Sequence, residues 1–269
     1  MALPTPSRES TCLITGASSG IGADIARSLA RRGHGVTLVA RRTELLEKLA
    51  EELRAGHGVR AEVLAADLLD PATRGELVER VAALGLTVDV LVNNAGFGSA
   101  GNFQQLPVER EVDMVRLNVE TVVELCGRYV PEMVGRGRGA LLNVASTAAF
   151  QPLPRQATYA ASKAFVLSFT DALSVDLSGT GVTAASLCPG PVRTEFFENA
   201  GFESEARDLP GFVWTTPDFV AEEGVRALER GRRVAVPGGF NRLSALSGQH
   251  TPRGAWLKLA GRFYPVGRD

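Results

Sequence analysis

Thr11-Cys12-Leu13-Ile14-Thr15-Gly16-Ala17-Ser18-Ser19-Gly20-Ile21-Gly22 lies near the start of a 269-residue chain, and its reading decides the fold. Thr11–Thr15 is a short β-branched and apolar run, the signature of a strand; three spaced glycines follow, and a helical stretch runs from near Ile21 to Arg32. The same strand-then-helix unit recurs outward from it. Val36–Ala40 precedes a helix near Thr43–Ala55, and Val59–Ala65 precedes one near Pro71–Leu84. Val88–Val92 precedes one near Val108–Met133, and Ala140–Ala145 one near Thr158–Ser178. Val182–Leu187, a loop, a helix near Pro217–Arg230 and a last strand at Arg233–Val236 complete the series. Several strands are continuous apolar runs, which marks strands buried on both faces of a parallel sheet. The alternation predicts an α/β fold: a doubly wound parallel sheet of about seven strands flanked by helices, in one domain. Right-handed crossovers then gather the strand C-terminal ends on one edge.

Hydrophobic residues at 45% and charged residues at 22% have the balance of a soluble globular protein, and a net charge of −1 gives no nucleic-acid signal. That net charge is a cancellation. Residues 231–269 carry seven Lys or Arg against the single acid Asp269, so residues 1–230 stand at −7. No run of about 18 apolar residues is present to span a membrane. The polar, Pro-rich stretch Met1–Ser10 lacks the apolar core of a signal peptide. Cys12, Cys126 and Cys188 are far apart and odd in number, without a Cys/His cluster. They argue against a disulfide framework or a metal site and read as small buried residues in a reducing cytoplasm. His34, His57 and His250 are isolated and read as surface or cap residues.

The glycines of Thr15–Gly22 are spaced G-x-x-x-G-x-G, a variant of the dinucleotide-binding spacing, at the strand-to-helix turn where that motif has meaning. One permits the sharp turn, one lets a pyrophosphate approach the backbone, and one lets the helix pack on the sheet. Free N–H groups at the helix start receive the phosphates, so Thr15, Gly16, Ser18, Ser19, Gly20, Ile21 and Gly22 are candidate cofactor residues. The second strand ends Leu38-Val39-Ala40-Arg41-Arg42. A carboxylate at this point would suit the ribose 2′-hydroxyl of NAD; Ala40 offers none, while two guanidinium groups suit a 2′-phosphate. The reading is NADP(H) in preference to NAD(H), with Arg41 leading and Arg42 beside it.

Tyr159-Ala160-Ala161-Ser162-Lys163 places a phenol and an ammonium four residues apart, on one helix face. A free Tyr titrates near pH 10, and a neighbouring ammonium stabilises the phenolate, which brings proton exchange toward neutral pH. Ser146 stands just past the fifth strand, at the sheet edge where ligands gather, with a hydroxyl suited to a carbonyl oxygen.

With these residues the chain resembles the short-chain dehydrogenase/reductase family in its short, about 250-residue form. The resemblance rests on the Gly16/Gly20/Gly22 loop, Asp67, Asn93-Asn94-Ala95-Gly96, Asn118, Ser146, Tyr159/Lys163 and Pro189-Gly190-Pro191-Val192-Arg193-Thr194. They stand in the family's order and cover about residues 10–237. The resemblance implies a Rossmann-like fold and hydride transfer between a nicotinamide and a carbonyl or alcohol. Tyr159 would be the general acid/base, and Lys163 would lower its pKa and hold the nicotinamide ribose. Ser146 would orient the substrate oxygen, and Asn118 would support a proton-relay water. Asp67 and Leu68 would border the adenine. Asn94, Ala95 and Gly96 would shape the loop beside the cofactor, and Pro189, Gly190, Val192 and Thr194 would lie at the nicotinamide. The wider Tyr–Lys spacing of enoyl reductases of this fold and the glycine spacing of extended family members are absent.

In this family residues equivalent to 194–217 cap the substrate pocket. Here they include Phe196, Phe197, Phe202, Phe212 and Trp214, with Phe97, Phe150 and Leu153 near the other motifs, implying a small apolar carbonyl or alcohol as substrate. Core or interface packing is the competing reading of any one of these aromatics. The organisation expected is an extension over 1–9, a catalytic domain over 10–237 and a basic tail over 238–269. The tail, with Asn241-Arg242-Leu243, Leu246, Trp256-Leu257-Lys258-Leu259 and Arg262-Phe263-Tyr264, reads as an amphipathic helix. Packing on the acidic body or on a neighbouring subunit is favoured over peripheral contact with anionic membrane lipid. A homodimer or homotetramer through the helices near 108–133 and 158–178 is what the resemblance implies. The function expected is an NADP(H)-dependent oxidoreductase; the alternative is a nucleotide-binding regulatory or scaffold protein with little turnover.

Overall fold

The computed structural model describes residues 3–201 and 210–263; Phe202 and Tyr264 lie outside the described residues. Seven strands, β1 (Ser10–Thr15), β2 (Val36–Ala40), β3 (Ala61–Ala65), β4 (Thr87–Asn93), β5 (Gly139–Val144), β6 (Val182–Leu187) and β7 (Val234–Ala235), form one sheet in the order β3-β2-β1-β4-β5-β6-β7. Every pairing is parallel. The strand order reverses between β1 and β4, which opens a crevice at their C-terminal ends.

The helices are α1 (Gly20–Ala30), α2 (Thr43–His57), α3 (Pro71–Ala83), α4 (Val108–Val115), α5 (Thr121–Gly135), α6 (Ala157–Asp176), α7 (Phe196–Ala200), α8 (Pro217–Glu229), α9 (Gly239–His250) and α10 (Arg253–Phe263). Local chemistry explains several boundaries. Asp70 caps α3 by accepting from the N–H groups of Ala72 and Thr73, with Pro71 at the first helical position. Gly58, at φ 65°, closes α2 in the left-handed region.

Alternate strand residues feed two core layers. Cys12, Ile14, Val90, Val92, Ala140 and Leu142 pack with α1, α2 and α8 on one face, and Leu13, Leu91 and Leu141 with α3, α5 and α6 on the other. Both faces are buried, as the continuous apolar runs require.

The structure departs from the sequence reading at four places. The helix expected over 108–133 is divided: α4 passes through a π-helical turn, Arg116–Glu120, into α5. Such a turn inserts a residue into the helical ladder and re-aims side chains, often at functional sites. The first two residues expected in β3, Val59 and Arg60, precede the paired run, which begins at Ala61; the Arg60 carbonyl accepts from the Val36 N–H (2.9 Å). The tail is two helices, broken where Pro252 ends the first. His34 is 4% exposed rather than at the surface, and burial pushes its pKa down. The three cysteines are buried and free. Among the described residues no helix is long and apolar enough to cross a membrane.

Candidate active site

The β1–α1 turn and the end of β4 are tied together. Thr15 Oγ1 donates to Val92 O (3.2 Å) and accepts from the N–H groups of Asn94 and Ala95 (3.0 Å each). Asn94 Nδ2 donates to Thr15 O (2.9 Å) and Gly16 O (3.2 Å). Glycine is required at the turn. Gly16 has φ +65°, and a Cβ there would stand 2.8 Å from Asn94 Nδ2; one on Gly22 would press into Asn94 and the Gly16 carbonyl. Ser19 stands at the N-cap of α1 in extended conformation, its hydroxyl making no capping bond to the helix N–H groups, and the first turn holds no acid. The helix start therefore keeps its N–H groups and positive dipole end for an anion.

At the end of β2, Arg42 lies over this loop. Its guanidinium donates to Ser18 Oγ (3.1 and 3.2 Å) and to Ser19 Oγ (2.7 Å). Arg41 is exposed and makes no hydrogen bond among the described residues. Of the two arginines, Arg42 is the one that hydrogen-bonds the loop. At the end of β3, exposed Asp67 accepts from the Leu69 N–H (3.1 Å), and Leu68 is buried with its carbonyl held by Arg74 (2.8 Å) and Thr121 (3.3 Å).

The proton-handling residues meet beyond β4, β5 and β6. Tyr159 and Lys163 project from one face of α6 and are both buried. Lys163 Nζ donates to Val144 O (2.9 Å) at the end of β5 and lies 5.9 Å from the Tyr159 ring centroid. Burial pushes Lys163 down to about 8. Burial likewise pushes Tyr159 up to about 12, and the Ser146 hydroxyl pulls the other way. Removal of the phenol from water thus sets the direction of the Tyr159 shift, and Ser146, not Lys163, is the group that opposes it. Ser146 caps the turn Thr147–Phe150, accepting from the Ala148 N–H (3.1 Å), and donates to Pro189 O (3.4 Å).

Asn118 sits in the π-helical turn, 1% exposed. Its amide donates to Phe97 O (3.0 Å) and Ser162 Oγ (3.1 Å), and its oxygen accepts from the Phe97 N–H (3.2 Å). A Cβ on Gly96 would stand 2.7 Å from Asn118 Oδ1 and 3.5 Å from Lys163 Nζ, so Gly96 lets these two approach the loop.

Phe196, Phe197 and Trp214 of residues 194–217 converge on the same point, whereas exposed Phe212 packs edge-on to Phe240 at 5.0 Å. The Tyr159 and Phe196 rings are 5.5 Å apart, Phe196 and Phe197 6.0 Å, and Phe197 and Trp214 5.0 Å. Phe97, Leu153 and Phe196 pack on a small cluster of Met114, Ala148, Tyr159 and Ala160. The segment is anchored by Val192, which bridges to Thr215, and by Thr194, whose methyl lies 3.0 Å from where a Gly20 Cβ would stand.

The tail contributes a wall that sequence reasoning left apart from the site. Buried Asn241 donates to Pro237 O (3.2 Å) and Val213 O (3.4 Å) and fills the space a side chain at Gly190 would need. Gly248 faces Phe150, and Trp256 Nε1 donates to Pro152 O (2.7 Å). The described residues of the tail therefore pack on their own body, against Val213, Phe150 and Pro152. Nothing in an amphipathic, arginine-rich stretch signals that one asparagine within it will be buried.

The sequence profile described as short chain dehydrogenase matches residues 10–204. The chain belongs to the short-chain dehydrogenase family. It is an oxidoreductase of that family by this match and by its relatives. An oxidoreductase of Myxococcus xanthus, described as uncharacterized, is 38% identical over 227 residues, 84% of this chain and 87% of that protein. A short-chain dehydrogenase from Sphingobium yanoikuyae in complex with NADPH is 33% identical, with a TM-score of 0.79 over 97% of this chain and 98% of its own. A bulky-bulky ketone specific alcohol dehydrogenase from Comamonas testosteroni is 27% identical, with a TM-score of 0.75 over 98% and 96%.

Proposed function

We propose that this family member is an NADP(H)-dependent oxidoreductase acting on the carbonyl or secondary alcohol of a small apolar substrate. The observation that carries the reading is the meeting of Ser146, Tyr159 and Lys163 at the sheet edge, beside a glycine cradle whose space a Cβ would fill. Residues 15–22 would hold the pyrophosphate. Arg42, with Arg41 near it, would take the 2′-phosphate, and Asp67 and Leu68 would border the adenine. Asn94, Ala95 and Gly96 with Pro189, Gly190, Val192 and Thr194 would carry the nicotinamide end.

When bound, the nicotinamide supplies or accepts the hydride. In the reducing direction the Tyr159 hydroxyl gives its proton to the substrate oxygen as the carbon is reduced. The phenolate left behind is stabilised by the Lys163 ammonium. Ser146 Oγ donates to the same oxygen and fixes its position. Asn118 holds the π-helical turn and the Phe97 backbone beside Lys163, where water returns the proton to Tyr159. The apolar side chains of Phe97, Leu153, Phe196, Phe197 and Trp214, with Phe150 nearby in the chain, would exclude water and favour an apolar partner.

Exposed Val108, Val112, Val115 and Val123 on α4 and α5, with Phe165 and Val175 on α6, support a homodimer or homotetramer through these helices. Three buried thiols suit the cytoplasm.

Oxidation of NADPH with a panel of apolar ketones and aldehydes tests the proposal. Turnover is expected, and Tyr159→Phe is expected to abolish it without loss of NADPH binding. Tight NADPH binding with no turnover of any substrate would instead favour the regulatory reading.

A further inference from the structure

Arg42 has a second partner besides the phosphate loop. Its Nη1 pairs with Glu195 Oε2 at 2.9 Å. The two residues come from opposite sides of the crevice: Arg42 from the end of β2, Glu195 from the start of the capping segment. Glu195 directly follows Thr194, the residue packed against Gly20. One guanidinium thus spans Ser18, Ser19 and Glu195, and its three donor nitrogens are all engaged. Both side chains are about half exposed, at 47% and 51%, so the pair is weak and exchangeable.

We infer that Glu195 is a cofactor-specificity residue that competes with the nucleotide 2′-phosphate for Arg42. This rests on the proposed use of NADP(H) with Arg42 at the 2′-phosphate. A guanidinium satisfied by a carboxylate must release it to grip a phosphate in its bidentate fork. A nucleotide without the 2′-phosphate has no claim on Arg42 and leaves the Arg42–Glu195 pair closed over the loop. Glu195 therefore narrows the preference for NADPH over NADH. Carboxylate and phosphate are also like charges brought to one cation, which adds to the same effect.

Equilibrium titration of the full-length protein with NADPH and with NADH, read by nucleotide fluorescence, tests this on wild type, Glu195→Gln, Arg42→Ala and the double variant. Glu195→Gln is expected to tighten NADPH by about two- to fivefold, the range of an exposed ion pair, and to leave NADH unchanged. In the Arg42→Ala background the same substitution is expected to have no effect, because the competition needs Arg42. Equal tightening of both nucleotides, no tightening of NADPH, or a gain that persists without Arg42 would overturn the inference. The underlying cofactor reading is judged separately: it fails if Arg42→Ala leaves NADPH affinity unchanged. If Arg42→Ala weakens NADPH selectively while Glu195→Gln does nothing, the cofactor reading stands and the competition does not.

Discussion

Lys163 lies one helical turn beyond Tyr159, with its ammonium 5.9 Å from the phenol ring centroid and hydrogen-bonded to the Val144 carbonyl at the end of β5. One bond anchors the lysine to the sheet, and the helix sets its distance from the tyrosine. Removal of the phenol proton should therefore be separable from cofactor binding. Tyr159→Phe keeps the ring packed on Phe196 and loses the hydroxyl, so turnover should fall by at least about 100-fold while NADPH affinity changes little. Parallel kinetic and fluorescence titrations check this, and substantial residual turnover would exclude Tyr159 as the acid/base.

The same lysine makes a pH-dependent prediction. Burial holds Lys163 near 8, below its ordinary 10.5. Its charged form is disfavoured in the folded state, so the penalty is present in full below about pH 8. It is relieved as pH rises from about 8 toward the ordinary 10.5, the window in which the unfolded chain binds more protons than the folded one. Relative to wild type, Lys163→Met should look most favourable near neutral pH and lose that advantage toward about pH 10, by on the order of 2–3 kcal/mol. Denaturant melts of both proteins across this range measure it. A stability difference that does not move with pH would refute the assignment.

Gly22 is held in place by sterics alone, since a Cβ there meets Asn94 and the Gly16 carbonyl. Gly22→Ala should destabilise by about 1–3 kcal/mol through overpacking and weaken nucleotide binding by distorting the α1 start. Thermal melts and an NADPH titration read both effects. Wild-type melting and binding would show that the cradle is looser than its geometry.

Trp256→Phe removes the indole donor to Pro152 O while keeping most of the ring. The expected loss of stability is about 1 kcal/mol, with a severalfold rise in KM for apolar ketones and kcat largely kept, because Pro152 neighbours Leu153, which is proposed to line the substrate side. A change confined to kcat would argue that the tail acts on the chemistry rather than on the pocket wall.

Much of this architecture was legible from residue order. The continuous apolar strands, the glycine turn after β1 and the Tyr159/Lys163 spacing are local or periodic, so they survive without three-dimensional information. The π-helical turn at Arg116–Glu120 was not legible, because α4, the turn and α5 share one helical pattern and the insertion answers to what Asn118 must reach. The buried state of His34 was hidden for a related reason, since a lone histidine carries no period.

The tail shows where that limit falls. Its net positive charge and amphipathic pattern are properties of composition, and Pro252 marks the break between its helices. That α9 turns Asn241 inward against Gly190 and Val213, and that α10 brings Trp256 to Pro152, depends on contacts between segments tens to more than a hundred residues apart. The preference among adjacent arginines is similar: residue order puts two arginines after the strand, and side-chain reach across the crevice selects Arg42 for Ser18, Ser19 and Glu195. Periodicity and spacing thus determine the sheet, its helices and the placing of Tyr159 and Lys163 on one helix face. Long-range packing decides which polar groups are buried together, because their desolvation is compensated only by partners that chain folding alone brings within hydrogen-bond distance.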